Sequence, residues 1–231
     1  MSSAKDGSKV RLCMSCWQLT WKVVKTCWVT LVGDGAEGAK FWTSVLGQLQ
    51  ARGVQDVLIA CVDGLTGFKE AIHAVFPQAR VQRCILHQIR NSLKYVTYTE
   101  QDAFMRDLKQ VYQATTREEA ETALLKLSEV WGNKYAVAVR AWEYNWAELS
   151  TFFDFPFEVR RLIYTNNAIE GYNRQLRKVT KNKSVFPTDE AVRKSFYLAH
   201  RDIAAKWTMP ITHWPKILNQ LVIYFENRIR I

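Results

Sequence analysis

The stretch VLIACVDG, Val57 to Gly64, constrains this chain more than any other. Six uncharged residues from Val57 to Val62 run straight into an aspartate and a glycine. An apolar run of that length without polar alternation predicts a strand covered on both faces, as inner strands of parallel sheets are. Asp63 then stands at its carboxyl end, where α/β proteins bind ligands in the crevice beyond the strands. A carboxylate there suits a divalent cation that must also reach a phosphate. It would equally serve to turn the chain or to cap a helix beginning near Thr66, and the pattern leaves both readings open.

The neighbouring periodicities fix the fold class. Ala39, Trp42, Val45, Leu46 and Leu49 recur at helical spacing, and Gly53 stands where a C-terminal cap would. Phe68, Ala71, Ile72, Val75 and Phe76 stripe a second helix that Pro77 stops, and a brief strand is predicted around Arg80 to Cys84. The order β–α–β–α indicates an α/β core. From Leu86 to Leu149 the pattern is helical throughout, with Thr116 and Glu119 spaced as a capping box, which suggests a helical subdomain inserted after the α/β half. Further helices are expected through IEGYNRQLRK, after Thr188, and from about Lys216 to Arg228.

Residues 11–32 stand apart. They hold three of the five cysteines and three of the nine tryptophans without a single acid, although Val23 to Val32 has the β-branched content of strands. Five cysteines, an odd number, make no disulfide framework in a chain of this size, so a reducing cytoplasm is the expected setting. The hydrophobic fraction of 48% argues against disorder. No apolar run reaches the roughly 18 residues of a membrane span, and no membrane partner is expected. A net charge of +10 points instead to a polyanion, with nucleic acid foremost.

Three further groups carry candidate chemistry, each with an ordinary reading beside it. Glu170, in TNNAIEGYNRQLRK, shares a helical face with Asn173, Arg174 and Arg177, a face fit for a metal beside a phosphodiester. Its spacing from Asn167 also makes a capping box, and an exposed Glu–Arg pair is the commoner arrangement. Cys84 and His87, in RCILHQ, have the spacing of half a zinc site, with Cys13 and Cys16 as a conceivable other half. A core cysteine and a histidine in a helix's first turn are the commoner reading. Arg174, Arg177, Lys178, Lys181 and Lys183 form a basic run that lines phosphates or merely solvates a helix end.

Taken together, the segments EGAKFW, RGVQDVLIACVDGLTGFKEAIHAVFPQARVQRCILHQIRNSLKYV, WEYNWAELSTFFDFP, IYTNNAIEGYNRQLRK and AAKWTMPI resemble the Mutator-type transposases of bacterial insertion sequences, collinearly from about residue 33 to 231. The resemblance implies an α/β ribonuclease-H-like core, incomplete at its N-terminus, with an all-helical insertion before a catalytic glutamate. It divides the chain into an atypical segment 1–32, a first part of the core at 33–90, the helical insertion at 91–160 and the rest of the core at 161–231. It implies metal-dependent DNA cleavage and strand transfer through two Mg²⁺ or Mn²⁺ ions. The second Asp of the family's DDE triad matches Asp63, its Glu matches Glu170, and its C-x-x-H motif matches Cys84 and His87.

The departures shape the remaining expectations. Nothing here matches the family's first catalytic Asp; Asp6 falls where the family has a loop, and Asp34 sits in a glycine-rich context. A frame-shifted reading restored near GDGAEGAKFW would account for both the odd composition and the lost match. The expectation is therefore a truncated, inactive copy of a transposase. The alternative is a non-catalytic module that binds DNA or a full-length transposase and inhibits it, with a zinc-binding regulator a distant third. The resemblance suggests element ends and target DNA, a second copy or a full-length transposase as partners, in a bacterial, nucleoid-associated setting.

Overall fold

In the computed structural model, the residues described are 14–16, 26–29, 38–164, 171, 174–178, 188–206, 211 and 213–229. They fall into two units, residues 54–164 and residues 1–53 with 165–231.

The unit 54–164 is built outward from two parallel strands. β3 (Ile59–Val62) and β4 (Arg80–Arg83) are joined by the helix α2 (Phe68–Val75), a β–α–β unit as the sequence predicts. The register pairs Ile59 with Arg80 and Val62 with Arg83, so both strands end level. The expectation that the apolar run is covered on both faces is corrected. Val62 is buried, but Ile59 and Ala60 are half-buried and Cys61 is exposed. Successive strand residues face opposite ways, and on the side opposite Val62 the cross-strand partner Gln82 is buried while Cys61 itself is not. An apolar residue permits burial without compelling it.

Helix α3 (Ile85–Leu93) follows β4 directly, and α4 (Gln101–Tyr112), α5 (Arg117–Trp131), α6 (Ala136–Tyr144) and the short α7 (Trp146–Leu149) continue the chain. Local chemistry sets their bounds. The Thr116 side chain accepts from the Glu119 N–H while the Glu119 carboxylate reaches back, the reciprocal box that satisfies two orphan donors at a helix start. Apolar faces of α4 and α5 meet through fully buried Phe104, Leu108, Val111, Ala120 and Leu127. Trp142 of α6 is almost completely buried, stacks on Tyr112, and donates its indole N–H to Ser92 Oγ of α3 at 2.9 Å. That bond gives the indole the polar partner a buried tryptophan needs. Helix α8 (Phe157–Tyr164) closes the unit.

Polar braces tie β4 to the helices. Asp154 accepts from Arg80 at 2.5 Å and from Arg117 of α5 at 2.6 Å. Gln82, buried at 1% exposure, donates to the Leu149 carbonyl at 3.1 Å. Arg80 and Gln82 are two apart and share one side of β4, so the strand that leads into the candidate site is tied to the helices from that side.

In the other unit, β1 (Met14–Cys16) pairs antiparallel with β2 (Thr26–Val29). The helix α1 (Ala39–Ala51) buries Trp42, Val45, Leu46 and Leu49, as the periodicity requires. Gly53, at φ 97°, follows its last turn in the left-handed conformation that ends helices. Residues 174–178 are helical with Leu176 buried. Asp189–Ala204 is capped by Thr188, whose hydroxyl accepts from the Ala191 N–H at 3.2 Å. The last helix spans Trp214–Tyr224 and a 3₁₀ turn, Glu226–Arg228, continues it, so the stretch expected as one helix is two. Among the described residues no helix is long and apolar enough to cross a membrane.

Candidate metal centre

The carboxyl ends of β3 and β4 bring three donors together. Because Val62 pairs with Arg83, the next residues, Asp63 and Cys84, emerge side by side. The ladder continues one bond further, with Cys84 N–H donating to the Val62 carbonyl at 2.7 Å. Cys84 is then the N-cap of α3, and His87 lies in its first turn. Each residue offers one ligand atom, and the three atoms lie within 4.8 Å of one another. Cys84 is buried, His87 is half-buried and Asp63 is exposed, so the group opens on one side.

Asp63 does not cap the following helix. The N-cap of α2 is Gly67, which has φ 74° and no side-chain cap. Its carboxylate instead approaches His87, with Nδ1 to Oδ1 at 2.7 Å. The distance is that of a hydrogen bond, but the buried Nδ1–H is not directed along it. The contact is therefore read as an ion pair rather than an aligned bond. The Asp63 carboxylate first, and the Cys84 sulfur second, push the His87 pKa up to about 10 against the cost of partial burial.

The turn beside Asp63 is closely packed. Gly64 has φ 76°, and a Cβ built on it would lie 2.3 Å from the Arg83 guanidinium. Arg83 is held over this glycine by Glu148 of α7, with N–O distance 3.4 Å, and Glu148 also pairs with Lys69 of α2 at 2.9 Å. Sequence reasoning missed this Arg83–Glu148 pair. The residue lies next to Cys84 in RCILHQ, but its partner is sixty-five positions away and no local spacing announces it.

The other expected site residues lie outside the described residues or in the other unit. Glu170, Lys181 and Lys183 lie outside them, as do Asn167 and Cys13. Arg174, Arg177 and Lys178 are exposed on the helical residues 174–178, in the other unit. The Cys84–His87 pair finds its third donor in Asp63, from the same β–α–β–α unit.

This arrangement defines a class: an α/β unit with an oxygen, nitrogen and sulfur donor set at its strand ends, where such folds bind ligands. The sequence profile of the Mutator family of transposases matches residues 24–210. The chain belongs to that family. It is 44% identical over 196 residues to a transposase for insertion sequence element ISRM3 of Rhizobium meliloti, covering 84% of this chain and 49% of that protein. It is 38% identical over 213 residues to a probable insertion-sequence transposase of Corynebacterium diphtheriae, covering 83% of this chain and 62% of that one. A transposase for element IS905 of Lactococcus lactis is 31% identical over 170 residues, 74% of this chain and 43% of its own length. The chain thus spans about half the length of the curated relatives it matches. The profile begins at residue 24, inside the segment 1–32 that composition sets apart.

Proposed function

We propose that these 231 residues are the metal-binding, DNA-engaging part of an insertion-sequence transposase with a ribonuclease-H-like core. The observation that carries the reading is Asp63, an exposed carboxylate at the end of β3 inside the span shared with the Mutator family. In this reading Asp63 and Glu170 are two carboxylates of a DDE triad. They would hold Mg²⁺ or Mn²⁺, which supplies charge stabilisation at a phosphodiester and an activated oxygen nucleophile. The oxygen donor and its exposure fit a hard cation that keeps several waters.

The chain's own residues have narrower tasks. The β3–β4 pair fixes Asp63, and the turn at Gly64 lets the backbone leave the strand without covering the carboxylate. Arg174, Arg177 and Lys178, with Lys181 and Lys183, are proposed to hold phosphates of element ends or target DNA. Arg83, packed over Gly64, pairs with Glu148 and so ties the turn after Asp63 to α7.

In the 231-residue polypeptide no carboxylate matches the family's first Asp, so by itself it is expected to bind DNA without cutting it. The non-catalytic binding module is thereby the form of the reading that applies to this polypeptide alone. The test is an assay of cleavage and strand transfer on element ends with Mg²⁺, comparing this chain with Asp63→Ala. No product from either is expected, whereas product that depends on Asp63 would mean a third ligand is already present. Introducing Asp63→Ala into a relative of full length should abolish cleavage there; retained cleavage would overturn the role of Asp63.

A further inference from the structure

We propose that Asp63, Cys84 and His87 form a binding site for a zinc-class cation, distinct in its selectivity from a Mg²⁺ site. Magnesium takes oxygen ligands in an octahedron and dehydrates reluctantly. A thiolate and an imidazole are poor ligands for it and good ones for zinc. The three donors already sit within 4.8 Å of one another on backbone fixed by the strand register and by the first turn of α3. Zinc bonds of about 2.0–2.3 Å place tetrahedral donors roughly 3.3–3.8 Å apart, a closure within reach of side-chain rotation.

Two details point to a ligand rather than to a packed core. The buried Nδ1 of His87 has a carboxylate oxygen at 2.7 Å yet no aligned hydrogen bond, so its geometry is not explained by pairing alone. Cys84 closes the inner side of the cluster while Asp63 is exposed, which leaves an open position for water or a phosphate oxygen. Three protein ligands and one open position is the arrangement of exchangeable zinc sites, as opposed to closed four-ligand structural ones. Cys61, two residues before Asp63 and on the same side of β3, is not among the three donors that lie within 4.8 Å of one another.

The consequence for the chain is competition. Zinc held here takes the Asp63 carboxylate, so micromolar zinc would displace catalytic Mg²⁺ and silence the site. That consequence rests on the proposed role of Asp63 in Mg²⁺ binding; the zinc site does not.

Cobalt(II) reports such a site directly, because a thiolate ligand gives a near-ultraviolet charge-transfer band and tetrahedral geometry gives intense visible bands. One equivalent of Co²⁺ added to the reduced chain is expected to produce both, and Zn²⁺ to bleach them. Excess Mg²⁺ should leave them unchanged. Cys84→Ser should lose the charge-transfer band, and His87→Ala and Asp63→Asn should each weaken binding at least about 10-fold. Cys61→Ser and the pair Cys13→Ser with Cys16→Ser should keep it. Circular dichroism of the metal-free variants separates lost ligation from lost folding; should Cys84→Ser not fold, the half-exposed Asp63→Asn decides the matter. A band that survives Cys84→Ser, that vanishes with Cys13 and Cys16, or that Mg²⁺ removes would overturn the site. A failed cobalt titration beside intact Asp63-dependent cleavage in a full-length relative would sink the zinc site and leave the transposase reading standing.

Discussion

Gly64 is the residue on which the site's geometry most visibly depends. Its φ of 76° lies in the left-handed region, where an L side chain costs roughly 1–2 kcal/mol. The added Cβ of Gly64→Ala would also meet the Arg83 guanidinium at 2.3 Å. That group ends a flexible side chain and can move, but moving it loosens its pair with Glu148. Urea denaturation of Gly64→Ala should therefore show a loss of about 1–3 kcal/mol, with the backbone term dominant. A neutral substitution would mean the turn relaxes to another conformation. A second residue-scale expectation concerns Glu100, which pairs with Lys134 Nζ at 2.7 Å and accepts from the Tyr135 hydroxyl. Lys134 first and Tyr135 second hold its carboxyl below the usual glutamate range. A depressed folded pKa stabilises above the unfolded value and is lost as pH falls through the folded one. Glu100→Gln should thus melt below the parent chain at neutral pH, with the gap closing in acid. A gap that persists unchanged into acid would assign the effect to packing instead.

At the scale of elements, α6 is the test of how the helical part is held. Trp142 fills the interior against Tyr112 and bonds Ser92 Oγ, so Trp142→Ala should cost about 3–5 kcal/mol. Trp142→Phe keeps most of the volume and should cost less, since Ser92 still donates to the Gln88 carbonyl at 3.0 Å. Equal losses from both would show that the indole N–H, not the ring, carries the contribution. Such elements were largely legible in the sequence. The Thr116–Glu119 box, the stripe from Trp42 to Leu49 and the Thr188 cap are local, and local chemistry can be read from spacing. The C-x-x-H spacing was legible for the same reason, since one helical turn carries it. What spacing could not supply was Asp63 as the third donor, because that meeting depends on the pairing of Val62 with Arg83 across two strands. The uneven cover of β3 and the Arg83–Glu148 pair were hidden likewise, in contacts between segments distant along the chain.

For the whole molecule, the net charge of +10 is the property that acts at long range. It predicts association with any DNA, because neutralised phosphates release their counterions whatever the base sequence. The exposed cations Arg174, Arg177 and Lys178 stand on one short helical stretch whose apolar residue, Leu176, is buried. A stretch anchored on one side and basic on the other suits contact with a phosphate backbone better than sequence readout, which needs side chains aimed at base edges. The measurement is binding to a labelled duplex across a range of salt, for matched element ends and for unrelated sequence. The two duplexes should bind alike, and log affinity should fall linearly with log salt, with a slope near −0.9 for each phosphate engaged. Replacing Arg174, Arg177 and Lys178 together by Gln should make that slope shallower by about 2–3. The same weakening should appear on both duplexes. Three other exposed cations, Lys40, Arg193 and Lys194, replaced in a control chain equalise the net charge and separate a general field from this stretch. An equal change of slope in the control would assign binding to the overall charge alone. A salt-independent affinity, or a marked preference for element ends, would mean that the chain reads bases and that phosphate contact is not its main mode of binding.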